Sequence, residues 1–183
     1  GGEGGLGKSI CSKFMELGAK VIVTTTNKKL INKKTKKKSY VYLDFNNKNS
    51  IKKFSNDLKK INKIDILINN AGINMVSPIN EVDEKYLDEI YKVNLRGPII
   101  MTKQISKIMI KRRKGKIINI SSIFGTVGKS GRSLYSSTKF GLVGLTKSAS
   151  LDLAKYNILV NTISPGVINT GLTKKVLNSV EEK

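Results

Sequence analysis

Histidine and tryptophan are absent from this 183-residue chain, and cysteine occurs once, at Cys11. Without histidine there is no Ser-His-Asp triad, and the commonest zinc ligand is missing. One cysteine permits neither an internal disulfide framework nor a Cys-rich metal site. Acid–base chemistry therefore falls to Tyr, Lys, Asp or Glu. Acidic residues are themselves scarce, 13 against 34 Lys and Arg, which leaves a net charge of +21. No apolar run is long enough to span a membrane and no signal peptide is visible, so a cytoplasmic protein is expected.

Such a surplus of positive charge can mark a polyanionic partner. However, Lys, Asn and Ile are abundant throughout, and the densest basic run, residues 27–38, carries no interleaved aromatic for base stacking. It reads as a solvated, lysine-biased surface, and nucleic acid is not expected as a partner.

What is present is an alternation of two patterns. Residues 20–25, 39–44, 64–69, 116–121 and 158–163 are short, β-branched, nearly continuous apolar runs. Runs of that kind suit a parallel sheet covered on both faces. Helical periodicity fills the intervals at 6–17, 51–60, 83–92, 99–113 and 134–155. Strand and helix in alternation imply a doubly wound α/β sheet. The glycine turn at residue 1 should follow a strand, and residues 173–183 stop inside a helical pattern. The expectation is a fragment lacking a first strand, a last strand and part of a lid, and poorly folded alone.

Gly1-Gly2-Glu3-Gly4-Gly5-Leu6-Gly7 opens a helix, where glycines let a backbone turn tightly and approach a pyrophosphate at the positive helix N-terminus. Asp44 and Asn69-Asn70-Ala71-Gly72 end two predicted strands, at the sheet edge where doubly wound folds bind ligands. Asp44 is either a simple turn cap or an acceptor for an adenine amino group. The Asn-Gly turn is either ordinary or a close approach to a ribose. Asn94 either breaks a helix or holds a water through its backbone. Ser121 and Ser122 finish a strand as turn formers, unless Ser122 converges with Tyr135. Pro165-Gly166 is an ordinary turn, or a loop against a nicotinamide with Thr170 bonding its carboxamide.

The most telling spacing is Tyr135-Ser136-Ser137-Thr138-Lys139, which puts a phenol and an ammonium on one helix face. An ammonium there is expected to pull the tyrosine pKa down from about 10 towards working pH. A Ser-Tyr-Lys set beside a dinucleotide fingerprint suits the joint movement of a proton and a hydride.

Taken in order, the glycine turn, Asp44, Asn69 to Gly72, Asn94, Ser122, Tyr135, Lys139 and Pro165-Gly166 resemble the short-chain dehydrogenase/reductase family, over residue 1 to about 172. The resemblance implies one Rossmann-type domain, an NAD(P)(H) cofactor and a homotetramer or homodimer built on helices 99–113 and 134–155. It implies Asn94, Ser122, Tyr135 and Lys139 as the catalytic set. Tyr135 and Lys139 then also touch the cofactor, together with Gly1, Glu3, Gly4, Gly5, Leu6, Gly7, Thr25, Thr26, Asp44, Phe45, Asn70, Ala71, Gly72, Pro165, Gly166, Val167, Ile168 and Thr170.

At the end of the first visible strand, Thr24-Thr25-Thr26-Asn27-Lys28-Lys29 offers no carboxylate for a ribose 2′-hydroxyl, while hydroxyls and lysines suit a 2′-phosphate. NADP(H) is therefore favoured over NAD(H). The substrate implied is a small carbonyl or alcohol. General similarity is to 3-oxoacyl-(acyl-carrier-protein) reductases, with Lys111-Arg112-Arg113-Lys114 either an acidic-carrier dock or dipole-complementing helix-end charge. The 128–133 loop also resembles reductases of surface-polysaccharide or nucleotide-sugar pathways, where Arg132 could bind a phosphate or carboxylate. A dinucleotide-binding protein without catalysis is the rival from another class.

Overall fold

The computed structural model describes residues 1–171. The helical pattern expected at 173–183, and the end of the family resemblance at 172, lie outside the described residues.

Among the described residues five parallel strands and five α-helices are interspersed along the chain, in an α/β architecture. The strands are β1 (Val21–Thr25), β2 (Lys38–Tyr42), β3 (Ile66–Asn69), β4 (Gly115–Ile120) and β5 (Ile158–Ile163). The helices are α1 (Gly5–Glu16), α2 (Lys48–Leu58), α3 (Glu84–Tyr91), α4 (Gly97–Arg112) and α5 (Ser133–Ala154). β-Branched residues dominate the strands because their stiff side chains fit a pleated, covered surface. Helix starts follow capping chemistry. Asn47 accepts from the Ser50 N–H at 3.0 Å before α2, and Asp83 from the Lys85 N–H at 2.7 Å before α3.

Among the described residues the strands form two sheets, β1-β2 and β3-β4-β5, with every pair parallel. The split lies where the first strand, expected to be lacking, would stand between β1 and β3. No described strand bonds β1 to β3, and the glycine turn crosses between their carboxyl ends instead. There the Gly1 amino group donates to the Thr24 oxygen at 3.3 Å, and Asn70 Nδ2 donates to the Gly1 oxygen at 2.6 Å. Chain order runs outward from β1 to β2 and then back to β3, β4 and β5, so this is the point where strand order reverses. Crevices at such a point hold the ligands of doubly wound folds.

Apolar side chains of α2, α4 and α5 close on the larger sheet. Phe54, Leu58, Ile105, Met109, Ile117, Leu153 and Ile158 form the centre of one buried cluster. At about 25 cal/mol per Å² of apolar surface, burial of this kind is what holds the helices to the strands.

A polar chain also runs through the interior. Asn69 Nδ2 donates to Asn119 Oδ1 at 2.7 Å, and Asn119 Nδ2 to Thr146 Oγ1 at 2.8 Å. Thr162 Oγ1 joins Thr146 Oγ1 at 2.6 Å. These bonds tie β3, β4 and β5 to α5 and so fix the register of the helix that carries Tyr135.

Candidate active site

Residues 92–96 are the first departure from expectation. Asn94 does not break the helix. It sits in a π-turn, Lys92–Arg96, that joins α3 directly to α4. A π-turn re-aims backbone groups, and such turns occur often at functional sites. The Asn94 side chain is fully buried and clamps the main chain of Ile73. It accepts from the Ile73 N–H and donates to the Ile73 oxygen, both at 2.8 Å, and reaches Thr138 Oγ1 at 3.2 Å. The clamp fixes the strand exit after Gly72 to the helix face that bears Lys139.

Ser122 leaves β4 held on both sides. The Ser121 N–H donates to the Ile163 oxygen and the Ile123 N–H to the Pro165 oxygen, each at 2.8 Å. Its Oγ accepts from the Phe124 N–H at 3.2 Å and lies near enough to the Tyr135 hydroxyl to pull its pKa down. The turn-forming and site-forming roles thus coexist in one side chain. Gly125 lets the following turn lie against α5, since a Cβ there would come within 2.9 Å of the Lys139 oxygen.

Tyr135 and Lys139 are both buried on α5. Lys139 Nζ lies 5.5 Å from the centre of the Tyr135 ring and donates to the Ile120 oxygen at 2.9 Å. Burial lowers the Lys139 pKa from 10.5 to about 8. Burial pushes the Tyr135 hydroxyl above its ordinary 10, outweighing the downward pull of the Ser122 hydroxyl and the Arg132 charge. The expected lowering of Tyr135 by Lys139 is therefore corrected. Desolvation decides the direction, and the ammonium is engaged with a main-chain oxygen.

These side chains wall a cavity of about 360 Å³ together with Gly1, Gly4, Gly5, Leu6, Asn70, Gly72, Pro165, Gly166, Ile168 and Thr170. A second cavity of about 360 Å³ shares Gly1, Gly4 and Gly72 with it and continues to Glu3, Thr25, Thr26, Asp44, Phe45 and Ala71. Thr24, from the hydroxyl run, lines the second cavity too, as do Leu43, Asn46, Ile73, Glu89 and Val93, which the sequence does not single out. Nothing in residue type marks the last two, of which Val93 lies within the π-turn and Glu89 one helical turn before it.

Of the expected site residues, Gly7, Lys28, Lys29, Asn94 and Val167 line neither cavity. Gly7 lies buried in α1, where a Cβ would meet Asn70 Nδ2 at 2.8 Å, so its role is close packing beneath the turn. Val167 is 80% exposed. Lys28 and Lys29 line neither cavity, and Lys28 Nζ instead lies 5.7 Å over the Tyr42 ring. Asp44 lies past the end of β2, where its Oδ1 accepts from the Asn46 N–H at 2.9 Å, yet it still faces the second cavity.

The paired cavities have the extended form a dinucleotide needs, and glycines supply the approach. Gly4 caps α1 without a side-chain acceptor, so first-turn N–H groups remain for an anion. Gly5 adopts a positive φ of 45°, and a Cβ on it would come within 3.0 Å of Thr170.

The family model for short chain dehydrogenases matches residues 1–181. A 3-oxoacyl-(acyl-carrier-protein) reductase of Buchnera aphidicola from Schizaphis graminum is 40% identical over 181 residues, covering 96% of this chain and 74% of its own. The structure described as ElxO with NADP bound superposes with a TM-score of 0.87 at 30% identity, covering 99% of this chain and 77% of that one. 4-Hydroxyisoleucine dehydrogenase complexed with NADH gives a TM-score of 0.84 at 31% identity, over 98% and 78% of the two chains. This chain belongs to the short-chain dehydrogenase family. It is an oxidoreductase that acts on carbonyl or alcohol groups.

Proposed function

We propose that the protein is an NADP(H)-dependent reductase of ketones to secondary alcohols, with 3-oxoacyl thioesters as its substrate class. The observation that carries the reaction is the meeting of Ser122, Tyr135 and Lys139 at one cavity whose remaining walls are the glycine turn and the 165–170 loop.

When bound, the nicotinamide supplies the hydride that becomes the new C–H bond. Ser122 Oγ donates to the substrate oxygen and holds the carbonyl in place. Tyr135, protonated at neutral pH because burial holds its pKa high, gives its proton to that oxygen as the carbonyl π-bond breaks. The resulting phenolate is recharged from solvent through Lys139 and a water at the Asn94 backbone. General acid help of this kind is worth about 10²–10⁴-fold. Lys139 would take a ribose hydroxyl, a reading supported by its place beside Gly72, where a Cβ would lie 3.6 Å from its ammonium.

The NADP(H) preference is supported by Thr25 and Thr26 at the second cavity, where a carboxylate for the 2′-hydroxyl is missing. The thioester class is supported by the Buchnera relative. For an acidic carrier, Lys111 and Lys114 remain at the end of α4, since Arg112 pairs with Asp65 at 3.0 Å and Arg113 donates to the Lys155 oxygen at 2.8 Å. Exposed Ile99 on α4 with Phe140 and Leu151 on α5 suit the subunit interface of a dimer or tetramer.

The test is oxidation of NADPH and of NADH with an acetoacetyl thioester. The expected result is turnover with NADPH at least about tenfold more efficient than with NADH, equivalent to 1.4 kcal/mol. Faster turnover with NADH overturns the cofactor assignment, and no turnover with the thioester overturns the substrate class.

A further inference from the structure

The geometry points to Arg132 as a substrate-binding residue that takes an anionic group, a carboxylate or a phosphate, carried a few bonds from the reacting carbonyl. The inference rests on Tyr135 as the proton donor and narrows which ketones that site accepts.

Arg132 is 8% exposed, and it and Lys139 are the only buried cations among the described residues. Lys139 donates to the Ile120 oxygen, and Arg132 likewise has a single neutral acceptor, for five donors rather than three. Four ion pairs exist among the described residues, and none includes it. The one hydrogen bond of its side chain among the described residues runs from Nη1 to the neutral amide oxygen of Asn74 at 3.0 Å. A guanidinium carries five N–H donors, so four lack a protein acceptor among the described residues. They are not sealed away either. The buried side-chain polar atoms without a partner are Ser133 Oγ and Ser136 Oγ, and no Arg132 nitrogen is among them.

The position is held from several sides. The Ser77 N–H donates to the Gly131 oxygen at 3.0 Å, which pins the loop before α5 to residues 74–77. Gly131 adopts a φ of 69°, and a Cβ on it would meet Val76 at 2.9 Å. The guanidinium lies 5.9 Å over the Phe124 ring, which in turn stands edge-on to Tyr135 with centres 6.5 Å apart. One helical turn separates Arg132 from Tyr135, and its charge acts on the Tyr135 hydroxyl.

A cation left with little exposure and no counter-charge gains when an anion reaches the donors that stay open. A planar fork placed this way matches carboxylate or phosphate oxygens bidentately. A substrate anion supplies the charge that the described chain does not, and the short span to Tyr135 limits the spacer between anion and carbonyl.

The experiment uses the full chain with NADPH and three ketones: acetoacetate, its uncharged methyl ester, and dihydroxyacetone phosphate. Wild type, Arg132→Gln and Arg132→Lys are compared, and binding of acetoacetate and of inorganic phosphate is measured by calorimetry. The expected result is a kcat/KM preference of at least about tenfold for one anionic ketone over the ester, the size of one charge-assisted hydrogen bond. That ratio falls towards one in Arg132→Gln and recovers in part in Arg132→Lys. Acid or phosphate preference identifies the anion. Equal use of acid and ester by wild type, or equal slowing of both in Arg132→Gln, overturns the proposal, since a loop clip or a field on Tyr135 acts on both alike. If Arg132→Gln does not fold, a reduced preference in a folded Arg132→Lys supports the proposal, an unchanged one overturns it, and so does a wild type that binds neither acetoacetate nor phosphate. If no ketone is reduced, the reductase assignment fails, while calorimetric anion binding that depends on Arg132 still decides this one.

Discussion

Lys139 Nζ and the carbonyl oxygen of Ile120 are 2.9 Å apart, a bond that joins the middle of the site helix to the last residue of β4. It places an ammonium below Ser122 and beside Tyr135, in surroundings that lower its pKa to about 8. Unfolded, the same lysine titrates near 10.5. Between those values the unfolded chain binds more protons than the folded one, so this group makes stability rise with pH across that window. The difference corresponds to about 3 kcal/mol. Urea denaturation at pH 7.5 and pH 10 should show wild type gaining stability relative to Lys139→Met. Equal pH responses would show that the ammonium is not disfavoured in the fold.

The raised Tyr135 pKa sets opposite pH profiles for the two directions of the reaction. Reduction needs the phenol and should stay level from pH 6 to neutrality. Alcohol oxidation needs the phenolate and should climb steadily with pH over the same range. Steady-state rates in both directions at saturating cofactor check this, and a falling oxidative rate with rising pH would contradict it.

Asn94 satisfies both backbone groups of Ile73 from a fully buried position. Truncation to alanine leaves the donor and acceptor of half-buried Ile73 unpaired, at about 1–3 kcal/mol each where burial is complete and less here. Asn94→Ala should therefore lose about 2–4 kcal/mol in denaturant titration. A loss under about 0.5 kcal/mol, the range of ordinary surface changes, would mean that water replaces the clamp.

Thr26 lines the second cavity at the end of β1, where a carboxylate would meet a ribose 2′-hydroxyl. Thr26→Asp should shift the NADPH-to-NADH ratio of kcat/KM towards NADH by about tenfold or more. An unchanged ratio would show that the cofactor is distinguished elsewhere.

Much of this architecture is legible in the sequence because period and composition act locally. The run at 158–163 coincides with β5, and the other strand and helix boundaries agree to within a few residues. The Tyr135–Lys139 spacing is legible for the same reason, being a property of one helix. What the sequence does not display are effects of distant partners. The π-turn at Asn94 depends on Ile73, far away in the chain, and the direction of the Tyr135 shift depends on how deeply the fold buries the phenol. Asn69 and Asn119 read as strand polars, and only their pairing across β3 and β4 reveals an internal hydrogen-bonded chain. Arg132 lies in a polar loop that gives no sign of its burial.

The central claim is that Tyr135 is the proton donor, and the Tyr135→Phe variant tests it most directly, with ketone turnover and NADPH binding measured on the same preparation. The account predicts cofactor affinity within about twofold of wild type, with turnover reduced by about 10²–10⁴-fold, the range of a general acid. Retention of most turnover by a variant that binds NADPH normally would contradict it.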